Sequence, residues 1–422
     1  MPREIALDAL DFSEFVRPGD TVTWGQACAE PRCLTERLVA QRDATGRFRA
    51  MVGLSLSDTL AGAGGGQIDV LSYGAIGTNG ALMKSGALDI LPCNYSALPA
   101  HFDSGRLPVA VVLVQVSPPG PDGTYSLGLA NDYLLPAMRA ARVVIAEVND
   151  QVPCTPLDTP LDDALIDVVV PCSRTPIEVP PGTPGAVEDA IAARASERIE
   201  DGAVLQYGIG TVPSAILAAL GGHRDLGIHS GMITGDVIEL VESGAVTNAT
   251  NRVRPGTCVA ALAMGDASLR RFLHLNPAVE LHPATTTHGQ SHLAAQDRLV
   301  ALNSALEVDI YGQVSAEMIG DHYIGAVGGQ VDFMHAAASH ERGLSVIAMP
   351  STSRDGGRSR IVPRLSMPLV TTAKSDVDLV VTEHGAADLR GLTLRERAAA
   401  LCAVAAPAFR DSLEQACRDA GL

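Results

Sequence analysis

At 422 residues the chain is longer than a single hydrophobic core usually supports, so two domains of about 200 residues each are expected. Acidic residues outnumber Lys plus Arg by 48 to 31, a formal charge of -17, which excludes a dominant polyanion-binding surface such as a nucleic-acid groove. With 46% hydrophobic but only 4% aromatic residues and abundant Gly and Ala, the composition favours helices packed closely on sheets, and the class read from it is α/β.

The N-terminal stretch MPREIALDALDFSEF carries acids and no long apolar run, so neither a signal peptide nor a transit peptide is expected there. No apolar run reaches the ~18 residues of a membrane span, and a cytoplasmic protein without membrane partners is the expectation. Eight cysteines (Cys28, Cys33, Cys93, Cys154, Cys172, Cys258, Cys402, Cys417) are spread thinly, with no CxxC pair and no His cluster at zinc spacing. They read as buried free thiols, and no metal site is expected.

In chain order, short apolar runs bounded by Gly or Pro predict fully buried strands at residues 109–114, 143–146, 166–170 and 344–349. Val187, Ile191, Ala195 and Ile199, four apart, predict one face of a helix. Strands alternating with helices imply parallel sheets. Between the halves, PCSRTPIEVPPGTPG (171–185) carries five prolines and reads as an extended linker, which places an N-terminal domain at 1–180 and a C-terminal domain at 186–422. PGDTVTWGQACAEP (18–31) lies over EDGAVLQYGIGTVP (200–213), each an acidic turn, a strand, a Gly-rich loop and a Pro. Duplication and ordinary strand-to-helix punctuation explain this equally well. The Ala- and Arg-rich segment from Thr393 to Leu422 predicts terminal helices closing over the second sheet.

Three stretches could carry chemistry. Tyr207-Gly208-Ile209-Gly210-Thr211-Val212-Pro213 lies between a strand-like and a helix-like run, where glycines let backbone N–H groups approach an anion or oxyanion and a helix N-terminus adds its dipole. A structural turn is the other reading, and the missing GxGxxG argues against a nicotinamide cofactor. Gly325-Ala326-Val327-Gly328-Gly329-Gln330-Val331-Asp332-Phe333 holds more glycine than a tight turn needs and suits close backbone approach to a ligand. Asn303-Ser304-Ala305-Leu306-Glu307 sets polar side chains in an apolar run, either to bond a carbonyl or carboxylate or as a polar strand edge.

Together with SPPGPDGTYSLG (117–128), VIAEVN (144–149), SRIVPRL (359–365) and VTEHGAADLRG (381–391), these stretches resemble the acetyl-CoA hydrolase/transferase family. This is a branch of the class I CoA-transferases that includes 4-hydroxybutyrate and acetate CoA-transferases, and the resemblance covers nearly the whole chain. It implies two open α/β/α domains with mostly parallel sheets, coenzyme A thioesters as substrates held between them, a small carboxylate or water as acceptor, and a homodimer. In that family a glutamate attacks the thioester carbonyl, CoA leaves and returns through an acyl-glutamyl anhydride, and an acceptor carboxylate completes the exchange.

Carried over by position, the backbone at Ile209, Gly210, Gly328 and Gly329 would supply oxyanion donors, and Asn303 would contact the acyl group or nucleophile. CoA contacts would come from Gly208, Gly210, Thr211, Gly328, Gln330 and Phe333, and residues 74–80 (GAIGTNG) would shape acyl selection. The glutamate belongs in a segment resembling Gly-Ile-His-Thr-Glu-Met. Here the chain reads Gly227-Ile228-His229-Ser230-Gly231-Met232, with matching flanks at Asp236 and residues 240–244, so Gly231 stands where the nucleophile is expected. His229 is a further candidate, although as strand neighbours His229 and Ser230 point to opposite faces and make a poor pair. Glu307, Glu317 and Glu383 read as structural. The expected activity is therefore thioester hydrolysis or direct acyl transfer without the anhydride; the alternatives are acyl-CoA binding without turnover, and an ordinary transferase with its nucleophile elsewhere.

Overall fold

A computed structural model describes residues 2–62 and 66–422. The chain forms two compact units, Met1–Pro180 with Gly231–Gly235 and Val259–Thr287, and Pro181–Ser230 with Asp236–Cys258 and His288–Leu422. No helix among the described residues is long and apolar enough to cross a membrane.

The first unit is built on eight strands, β1 (Arg3–Glu4), β2 (Thr21–Trp24), β3 (Phe48–Val52), β4 (Ile68–Ser72), β5 (Leu88–Ile90), β6 (Val111–Val116), β7 (Val143–Asn149) and β8 (Val168–Cys172). Their order is β1-β8-β7-β6-β2-β3-β4-β5, every pairing parallel. Runs of β-branched residues suit a parallel sheet covered on both faces, and β6 is buried at all six positions. From β2 the order runs one way to β3 and the other to β6, so a topological switch point lies between β2 and β6. Helix α1 (Arg32–Ala40) follows β2.

The segment from Pro171 was expected to be linker, but Pro171 and Cys172 end β8, where they pair with Val148 and Asn149 of β7. On its other side β8 pairs only through Val168 and Val169, so the missing Pro171 N–H faces an edge that needs no donor. A second departure concerns the thiols. Cys33 and Cys172, 139 residues apart in sequence, come into disulfide contact, so the reading of eight free thiols fails for these two. The helix start and the strand end meet only through the sheet order, which no local motif announces.

A buried polar network joins the β2 and β4 ends. Gln26 Nε2 donates to Tyr95 Oη at 2.6 Å and to Asp132 Oδ2 at 2.7 Å, while its Oε1 accepts from Tyr73 Oη at 2.7 Å and from the Leu54 N–H at 2.9 Å. Burial pushes the Asp132 carboxyl up to about 6, against the hydrogen bonds from Gln26 and the Leu134 N–H. Because the folded value lies above the unfolded one, protonation favours the fold; that stability is complete below the unfolded pKa near 3.8 and is lost as pH rises to about 6. Asp132→Asn, which keeps the shape without the charge, is expected to remove a pH-dependent loss of about 3 kcal/mol between pH ~4 and ~7. Urea denaturation of both proteins across that range checks this; parallel stability-versus-pH curves would refute it.

The second unit carries β9 (Val204–Tyr207), β10 (Gly227–Ile233), β11 (Leu299–Asn303), β12 (Leu344–Ala348), β13 (Leu379–Thr382) and β14 (Gly385–Asp388). These six stand in an eight-stranded sheet in the order β10-β9-β11-β12-β13-β14, parallel except for the β13–β14 hairpin, and the strands Cys258–Ala263 and Val279–Leu281 continue it beyond β10. Strand β10 passes from one unit to the other between Ser230 and Gly231. Its core gathers Leu299, Phe333, Ile347 and Val380 with Leu401 and Leu413 of the C-terminal helices Leu394–Val404 and Pro407–Asp419. The predicted helix face holds for Ile191 and Ala195, but the helix ends at Ser196 and Val187 stays 40% exposed.

Candidate active site

In the second unit β9 has β10 on one side and β11 on the other, so the strand order reverses between β9 and β11. Ligands of open α/β sheets bind in the crevice at the carboxyl ends of strands flanking such a point. Two of the sequence-predicted residues lie there. Tyr207 pairs with Leu302, which sets Gly208 just beyond β9 beside Asn303, the last residue of β11. The Gly208 N–H donates to the Leu302 carbonyl at 3.1 Å, and a Cβ at Gly208 would lie 3.9 Å from Asn303 Oδ1.

Beyond Gly208 the chain turns at Ile209, which is exposed, and enters helix α2 (Thr211–Ala219) through Gly210. Gly210 has φ 118° and ψ 176°, a region closed to side chains, although space around it is open. Glycine is needed there for the backbone, not for room. Thr211 Oγ1 donates to Glu188 at 3.4 Å, and Ser214 Oγ to Asp236 at 3.0 Å.

Asn303 is 7% exposed and locked to Gln206 of β9: its Nδ2 donates to Gln206 Oε1 at 2.9 Å and its Oδ1 accepts from Gln206 Nε2 at 3.3 Å. The reciprocal amide pair fixes the side chain at the strand end. On β10, Ser230 Oγ is 3.4 Å from both the N and O of Tyr207, and the ring Nδ1 of His229 is 3.4 Å from Gln296 Nε2. Both residues are fully buried and find partners on different neighbours. Gly231 follows Ser230 in the strand and is half-buried.

The second Gly-rich stretch leads into helix α3 (Gln330–Ala338). Gly328 takes a left-handed φ of 55°. Gly329 caps the helix at a place where a Cβ would come within 2.5 Å of His288 Nε2, so it lets the ring approach the backbone. The His288 ring packs edge-on against Phe333, centroids 4.8 Å apart. Burial, with a smaller push from His229, drives the His288 pKa down to about 3, which keeps the imidazole neutral at ordinary pH. Phe333 is 1% exposed, and Gln330 Nε2 donates to Thr372 Oγ1 at 3.1 Å. His288, Gln206 and Gln296 had no sequence signal, because each becomes meaningful only through residues distant in the chain.

The other carboxylates are held internally. Glu317 accepts from Tyr323 Oη and Thr371 Oγ1, both at 2.7 Å, Glu383 from Ser351 N and Oγ, and Glu307 from the Ser366 N–H. In the first unit, Gly77 and Thr78 of the predicted acyl-selecting stretch line a cavity of about 750 Å³ together with Ser55, Ser57, Leu60 and Leu82.

Residues 6–170 match the acetyl-CoA hydrolase/transferase N-terminal domain and residues 265–417 its C-terminal domain. The chain belongs to the acetyl-CoA hydrolase/transferase family. It is 43% identical over 332 residues to a 4-hydroxybutyrate coenzyme A transferase of Clostridium kluyveri, covering 78% of this chain and 77% of that one. Among solved structures, RipA from Yersinia pestis superposes with a TM-score of 0.92 at 29% identity, covering 99% and 98% of the two chains. A 4-hydroxybutyrate CoA-transferase from Porphyromonas gingivalis does so with a TM-score of 0.84 at 32% identity and the same coverage. The fold of this family is thus the α/β fold with mostly parallel sheets expected from the sequence.

Proposed function

We propose that the chain acts on acyl-CoA thioesters without forming an acyl-glutamyl anhydride, by hydrolysis or by direct transfer to a carboxylate. The reading rests on Gly231, the residue at the position that the resemblance gives to the family's nucleophile; it offers no side chain, and its strand neighbours His229 and Ser230 are buried and engaged. In the hydrolytic reaction a water oxygen adds to the thioester carbonyl carbon, and the tetrahedral oxyanion is bound by N–H groups of the Ile209–Gly210 loop and of Gly328 and Gly329. The C–S bond then breaks, and the departing thiolate takes the proton released from the water, giving free CoA and the carboxylic acid. Asn303, clamped by Gln206, orients the acyl carbonyl. The acceptor is water or a small carboxylate, and CoA itself is substrate and product.

Support for the unaided route comes from Glu317 and Glu383, whose carboxylates each accept two hydrogen bonds from neighbouring side chains or backbone and so are poor replacement nucleophiles. The decisive assay offers purified protein a panel of short acyl-CoAs with and without carboxylate acceptors. Thiol release or a new thioester is expected. Tight acyl-CoA binding by calorimetry with neither product would turn the reading to a binding protein, and a hydroxylamine-trapped acyl carboxylate identified by mass spectrometry would turn it to a transferase with another nucleophile.

A further inference from the structure

Away from this site, the carboxyl end of the first sheet gathers an unusual set of donors. Glu147 of β7 lies opposite Gln115 of β6 and Val170 of β8, and Cys172 is two residues past Val170, so strand alternation puts Gln115, Glu147 and Cys172 on one face. Cys33, the second residue of α1, comes to the same place, and ligand atoms of Cys33, Glu147 and Cys172 all lie within 4.8 Å of one another. Glu147 is 1% exposed, whereas both cysteines are partly accessible.

We propose that the reduced chain binds a zinc-class divalent cation through Cys33 Sγ, Cys172 Sγ and the Glu147 carboxylate, with the fourth position open to water.

Two sulfurs and one carboxylate select a borderline-soft ion over magnesium or calcium, which take oxygen donors. Tetrahedral zinc, with bonds of about 2.3 Å to sulfur and 2.0–2.2 Å to oxygen, spaces its ligands by roughly 3.5–3.8 Å, so the observed set closes on an ion by small side-chain movements. The Cα atoms of Cys33 and Cys172 are 7.1 Å apart, outside the usual disulfide range of about 4.4–6.8 Å and well suited to an ion between the sulfurs. Cys33 is the second residue of a nine-residue helix, so its side chain is held at the helix start beside Glu147.

The outer partners also fit. Glu147 Oε2 accepts from the Cys33 N–H at 2.8 Å and the Leu34 N–H at 3.3 Å, and Oε1 from Gln115 Nε2 at 3.3 Å, which orients the carboxylate and leaves lone pairs for an ion. The same Gln115 amide donates to the Glu30 carbonyl at 3.1 Å, while its Oε1 is buried without a hydrogen-bond partner, an acceptor of the kind a metal-bound water satisfies. Arg174 is turned to Glu36 in a bidentate pair at 2.8 and 2.9 Å.

The full chain, reduced with a non-chelating phosphine and stripped with EDTA, is titrated with Zn²⁺ and separately with Co²⁺. One equivalent per chain is expected, with thiolate-to-cobalt charge-transfer absorption, a higher melting temperature on adding Zn²⁺, and protection of Cys33 and Cys172 from alkylation. Cys33→Ser and Cys172→Ser should each abolish the absorption, and Glu147→Gln should weaken binding at least about tenfold. Variants are compared by circular dichroism without metal, and the alkylation of wild-type protein stands whether or not they fold. Absence of Zn²⁺ uptake by the fully reduced wild type, uptake that leaves both cysteines open to alkylation, or binding undiminished in a folded Cys33→Ser/Cys172→Ser double variant would overturn the site.

Discussion

Gly231→Glu is expected to convert the protein towards carboxylate-dependent CoA transfer, raising that rate at least about tenfold, the equivalent of ~1.4 kcal/mol of transition-state stabilisation. The position is in β10, where the backbone does not require glycine, and it is half-buried, so a carboxylate there is not sealed off. The kinetic form should change along with the rate. A covalent intermediate gives ping-pong dependence on donor and acceptor, whereas the wild type should show none. Product analysis with a labelled acceptor, and hydroxylamine trapping at residue 231, read both effects. A folded variant with no gain would mean that the surroundings have departed from the family's site, and would sink the reading that only the nucleophile is missing.

Asn303→Ala should lower kcat/KM by about 10²-fold, the scale on which loss of a group that orients the reacting carbonyl is felt. It also leaves Gln206, 5% exposed, without its reciprocal partner, a stability loss of about 1–3 kcal/mol. Gln206→Leu separates the two effects, because it breaks the same amide pair but keeps the Asn303 side chain. Its stability should fall comparably, while kcat/KM falls less than in Asn303→Ala because the acyl-contacting amide remains although unclamped. An undiminished kcat/KM in folded Asn303→Ala would show that Asn303 serves only the fold.

The sequence carried the strands at 143–146 and 344–349 because unbroken apolar runs have one stable use in a sheet covered on both faces. It carried Gly208 and Asn303 as candidates, and the strand order sets both beside one switch point. What escaped was relational. The Gln206–Asn303 clamp, the approach of His288 to Gly329 and the meeting of Cys33 with Cys172 all join residues remote in sequence, and single residues of these types carry no periodicity to reveal them. The proline run misled in the other direction: Pro171 stays in a strand because the side of β8 it faces is unpaired at that level. Val187 kept helical spacing yet is exposed, since helical period specifies a face but not what covers it.

The extended backbone at Gly231 has a genetic consequence. Glycine in a left-handed turn is held in place because every alternative strains the chain, but a strand position imposes no such restriction. Two of the glycine codons differ from the two glutamate codons by one transition at the second base. Interchange of glycine and glutamate at residue 231 is therefore a single mutational step that the backbone dihedrals do not oppose.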